Sequence, residues 1–127
     1  MKNPAYGAYQ EGVKRAESPT ETDAAVLENA ALILEQAKGV AGSEEFFMAL
    51  NYNQRIWTVL QTYATEENPW PDQITANMVS LSIFIDKQTF KAMAEGEPKN
   101  LDVLININRQ IAAGFRSVPP AEKTDNK

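Results

Sequence analysis

Val79-Ser80-Leu81-Ser82-Ile83-Phe84-Ile85 is the stretch whose reading decides the fold. Apolar residues at 79, 81, 83 and 85 alternate with serines at 80 and 82, which is the two-residue period of a strand. The wider spacing reads differently. On a helix Ile74, Met78, Leu81, Ile85 and Ala92 share one face, and Val79, Ile83 and Phe90 share the opposite one. The pattern runs on to Glu95, longer than a strand, and no other stretch offers a strand to pair with it. The segment is therefore read as a central helix buried on two sides.

Outward from it, punctuation divides the chain. Upstream, Asn68-Pro69-Trp70-Pro71 breaks the backbone, and Pro71 sits near the new helix start. Before that lies a helix capped by Ser43 and running to about Thr65. Glu44 and Glu45 suit its N-terminal dipole. Its broad apolar face is Phe46, Phe47, Leu50, Trp57, Leu60 and Ala64, flanked by Ile56 and Tyr63. Another helix precedes Gly39 and Gly42, with the stripe Leu27, Ala30, Ala31, Leu34 and Ala37 widened by Val26 and Ile33. Ser18-Pro19-Thr20-Glu21 is a capping box for it. The first helix spans about Pro4 to Glu17 behind an Asn3 cap, with Tyr6, Tyr9, Val13 and Ala16 on one side. Gly7 and Gly12 weaken it, each by about 1 kcal/mol against alanine.

Downstream, Gly96 and Pro98 stop the central helix. A fifth helix, capped by Asn100, runs from about Leu101 to Arg116 with Leu101, Leu104, Ile105, Ile111, Ala112 and Phe115 inward. The fold expected is all-α: a single-domain bundle of about five helices over residues 1–117, the fourth at its centre, and a disordered tail over 118–127.

Composition narrows the chemistry. The 127 residues have no cysteine and no histidine, which removes disulfides, thiolate sites, triads and most zinc or haem ligation. Net charge is −5, spread as −2 over residues 1–42, −5 over 43–97 and +2 over 98–127. An acidic middle repels phosphate, so nucleic acid is not an expected partner. The start carries no apolar leader, and no apolar run approaches the ~20 residues of a membrane span. A cytoplasmic protein is expected. The pairs Glu44/Glu45, Glu66/Glu67 and Glu95/Glu97 sit at helix ends, where carboxylates cap or are solvated. Gly39-Val40-Ala41-Gly42 lacks the lysine and setting of a phosphate loop. No enzyme activity, cofactor or metal is expected.

Two asparagines break apolar stripes: Asn53 between Leu50 and Trp57, and Asn108 between Leu104/Ile105 and Ile111/Ala112. A buried amide must find hydrogen-bond partners. The pair is either structural, fixing helix register, or one amide meets a partner's backbone in a groove. Trp57, Trp70, Tyr6, Tyr9 and Arg109 are the candidate partner-binding side chains. Of these, Trp57 also fits the core, and Trp70 lies between prolines where burial is optional.

Three stretches, taken in order, resemble a known family. They are Ala49-Leu50-Asn51-Tyr52-Asn53-Gln54-Arg55-Ile56-Trp57, then Val79-Ser80-Leu81-Ser82-Ile83, then Leu104-Ile105-Asn106-Ile107-Asn108-Arg109-Gln110-Ile111-Ala112-Ala113-Gly114-Phe115. The family is FlaF, regulators of flagellar biosynthesis. Its pattern places a polar residue, an aromatic and Asn before the Arg and Trp of the third helix, as Asn51, Tyr52 and Asn53 stand here. Its late Ile-Asn-Arg run, closed by Gly and a large apolar residue, is matched by Ile107, Asn108, Arg109, Gly114 and Phe115. The opening Asn3-Pro4-Ala5-Tyr6-Gly7-Ala8-Tyr9-Gln10 with Glu17-Ser18-Pro19 also looks like the start of FliS-type flagellin chaperones. The FlaF resemblance implies a protein that promotes flagellin production and export by binding flagellin, alongside the regulator FlbT. The alternative it leaves open is post-transcriptional control through FlbT or flagellin messenger RNA.

Overall fold

The computed structural model describes residues 19–66 and 70–117. Within them lie four α-helices: α1 (Pro19–Ala37), α2 (Glu44–Ala64), α3 (Asp72–Glu95) and α4 (Asp102–Arg116). Short 3-10 turns at Lys38–Val40 and Pro98–Leu101 follow α1 and precede α4. There is no strand among the described residues, so 79–85 is helical. The expected first helix, with Tyr6 and Tyr9, the Ser18 cap and the tail from 118 lie outside the described residues.

Local chemistry sets the helix ends. The Ser43 hydroxyl accepts from the Phe46 amide at 3.3 Å and so caps α2. Gly96 ends α3 with φ of 66°, a left-handed turn that glycine adopts without strain, and its amide donates to Ala92 O at 2.8 Å. Asn100 differs from its expected role. It is not the α4 cap: its side chain turns backward, accepting from the Glu97 amide at 3.0 Å and donating to Glu95 at 2.7 Å. It thus ties the end of α3 to the turn before α4.

The helices run up and down. The charged pairs Glu28–Arg116, Glu35–Arg109 and Lys38–Asp102 read in opposite order along α1 and α4, so the two are antiparallel. That pair makes the most extensive helix contact; α2 packs on α1, and α3 packs chiefly on α2. Leu27, Leu34, Phe46, Leu50, Trp57, Leu60, Leu104 and Phe115 fill the core between them.

The position of α3 departs from the expectation of a central helix. Its buried line is Met78, Ser82, Ile85, Thr89 and Ala92. The opposite face is open: Ile83 is 52% and Phe90 63% exposed, and Phe84 is 42% exposed. The physical reason is that α3 has one extensive helix neighbour, α2, and one helix neighbour covers one stripe.

Candidate partner-binding surface and the buried amide pair

The two asparagines lie side by side in the core. Asn53 on α2 and Asn108 on α4 are both fully buried. Asn108 Nδ2 donates to Asn53 Oδ1 at 2.7 Å and approaches Leu27 O on α1 at 3.5 Å. Asn108 Oδ1 accepts from Trp57 Nε1 at 2.9 Å. One amide therefore touches three helices. Asn53 Nδ2 is the one buried side-chain polar atom without a partner among the described residues. An orphan donor of that kind costs about 1–3 kcal/mol.

Trp70 forms a second buried joint. Its Nε1 donates to Asp23 Oδ2 at 2.6 Å, and its ring stacks edge-on to Tyr63 at 5.1 Å and tilted to Phe115 at 5.2 Å. The loop before α3 is thereby pinned to the start of α1 and the end of α4. The Tyr63 hydroxyl is pushed above its usual pKa by burial first, then by the negative charges of Asp23 and Glu66. Lys38 is also raised, chiefly by its hydrogen bond to Asp102.

Among the candidate side chains, Trp57 and Trp70 are inside the fold and present no ring surface to a partner in this conformation. Arg109 is exposed and pairs with Glu35 at 3.7 Å. Beside it, an open depression of about 510 Å³ is lined by Glu35, Asp102, Val103, Ile105, Asn106 and Arg109. Its charges largely answer one another. A second groove, about 310 Å³, runs between α1 and α2 past Ile33, Gln36, Ala37, Val40, Glu45 and Ala49. Its lining is mixed, with four apolar side chains beside Gln36 and Glu45.

The surface that sequence reasoning missed is the outer face of α3. Phe84 belongs to neither stripe assigned above, and that is the signal that apolar residues go all round this helix. No helix among the described residues is long and apolar enough to cross a membrane, and no three carboxylates there converge to hold a cation. What the described residues offer is surface: the two depressions and the exposed apolar side chains of α3.

Comparison with curated proteins and with solved structures gives no match. A family model described as flagellar protein FlaF does match, over residues 5–115. That span takes in the Asn53–Trp57–Asn108 joint and all four helices to Phe115, and the chain belongs to the FlaF family of flagellar proteins.

Proposed function

We propose that this protein is a cytoplasmic, non-enzymatic chaperone that binds flagellin before export and so promotes flagellin production. The observation that carries the reading is membership of a flagellar family over nearly the whole chain. Surface open to a docked helix supports it: the α1–α2 groove is lined by Ile33, Ala37, Val40 and Ala49 together with Gln36 and Glu45, a mixed lining suited to an amphipathic helix. The mechanism is mass action. A chaperone that binds the unassembled subunit and not the polymer lowers the free subunit concentration and holds back premature assembly.

Titration calorimetry of the full chain with purified, unpolymerised flagellin tests this. Saturable binding that delays polymerisation is expected. No association with flagellin, together with tight and salt-sensitive binding of flagellin messenger RNA, would replace the reading with translational control.

A further inference from the structure

The outer face of α3 carries charge as well as apolar surface. Between Ser43 and Glu97 the chain holds eight acidic residues and three basic ones: Arg55, Lys87 and Lys91. Two of those three stand on α3 beside the exposed Ile83, Phe84 and Phe90. Neither lysine forms an ion pair among the described residues, whereas Lys38, Lys99, Arg109 and Arg116 all do. The nearby carboxylates are engaged elsewhere: Asp86 accepts from Gln54 at 3.2 Å and Glu95 from Asn100 at 2.7 Å.

Lys87 and Lys91 are also four residues apart, hence neighbours on the helix surface, and like charges at that spacing repel. Ile83 and Phe90, seven residues apart, fall on one line of a helix with 3.6 residues per turn and are both exposed. The result is an apolar seam edged by two cations that pair with no carboxylate among the described residues.

We propose that this face docks an amphipathic helix of a partner protein whose apolar stripe is flanked by carboxylates. The inference stands on the α3 face alone and does not require the partner to be flagellin. Charge complementarity selects the occupant. A second copy would bring the same cationic patch to the shared interface and so add positive charge to positive charge. An anionic membrane calls for a cluster of about four to eight basic side chains, and this face carries two. Residues 1–18 carry three basic and two acidic groups, and residues 118–127 two of each, so neither end of the chain supplies net negative charge.

The test uses the isotope-labelled full chain and two synthetic helical peptides sharing one leucine stripe, flanked by glutamates in one and by lysines in the other. The glutamate peptide should shift the backbone amides of residues 79–94 in NMR spectra and bind about tenfold tighter than the lysine peptide at low salt, with the gap closing as salt rises. Phe90→Ser should weaken it about tenfold. A Lys87→Glu/Lys91→Glu variant should reverse the peptide preference, and it keeps the test sharp if the serine variant fails to fold. Equal binding of both peptides, or shifts confined to other helices, would overturn the proposal. So would three other results: phosphatidylglycerol vesicles binding in place of the peptide, self-association abolished by Phe90→Ser, or movement of the amides of residues 1–18 when that substitution is made in the free protein.

Discussion

The interior shared by α1, α2 and α4 and the outer face of α3 use the same residue types for opposite ends. In the first, the large side chains point in: Leu27, Leu34, Leu50, Trp57, Leu104 and Phe115 are buried, and the bonded amides of Asn53 and Asn108 among them join three helices. In α3 the arrangement is inverted. Its buried line includes Ser82, Thr89 and Ala92, and the two hydroxyls bond back to their own helix, to Val79 O at 2.8 Å and Ile85 O at 2.6 Å. Ile83, Phe84 and Phe90 point out. Burying a phenylalanine contributes about 2–3 kcal/mol, so a helix arranged for stability alone would turn Phe90 inward. The difference separates residues that serve the fold from residues free to serve a partner.

The largest expected effect is at the centre of the interior. Trp57→Ala removes a side chain 1% exposed and leaves Asn108 Oδ1 without its donor. A cost of about 4–5 kcal/mol is expected, read as a large fall in the urea midpoint. The amides come next, and they are unequal. Asn108→Ala orphans both Trp57 Nε1 and Asn53 Oδ1, for about 3 kcal/mol. Asn53→Ala removes the unpaired Nδ2 along with the useful oxygen, so about 1 kcal/mol is expected. Equal losses at the two positions would break the claim that Asn108 is the hub of the joint.

These contrasts also mark what the sequence could carry. Period and punctuation located α1, α2 and α4: the stripes Leu27–Ala37 and Phe46–Ala64, the Ser43 cap and the Gly96 stop all follow from local rules that the structure obeys. The amides were legible as a pair because each interrupts an apolar stripe. Three features were not legible. Two apolar lines on α3 said that two faces were greasy, not what each face meets. Trp70 is buried by Asp23, 47 residues away, a contact that no local pattern encodes. Asn100 had two competing uses, capping forward or bonding back to Glu95, and the intervening turn decided between them.

On the outer face of α3 the same kind of substitution should do little to the fold. Phe90→Ser or Ile83→Ser replaces a side chain more than half exposed, so a change within about 0.5 kcal/mol is expected by thermal or urea unfolding. A loss of 2 kcal/mol or more at either position, by the same measure as a buried large-to-small change, would show that this face is covered in the folded chain.

The smallest effect is the most discriminating, because its sign is opposite to that of every other substitution considered. Lys87→Glu removes a repulsive pair with Lys91 and replaces it with an attractive one. The acidic residue would stand four positions N-terminal to the lysine, the favourable orientation along a helix. Neither position is occupied in an ion pair among the described residues, so nothing else is broken. The fold should gain about 0.2–0.5 kcal/mol at low salt, and the gain should fade as salt screens the pair. Meanwhile affinity for the glutamate-flanked helix should fall. A residue that weakens the fold slightly and strengthens binding is what the comparison between interior and outer face requires. Replicate melts at low and high salt, run beside the peptide titration, resolve it: a loss of stability on Lys87→Glu would mean that the lysine serves the fold, and α3 would then be an ordinary member of the bundle on both of its faces.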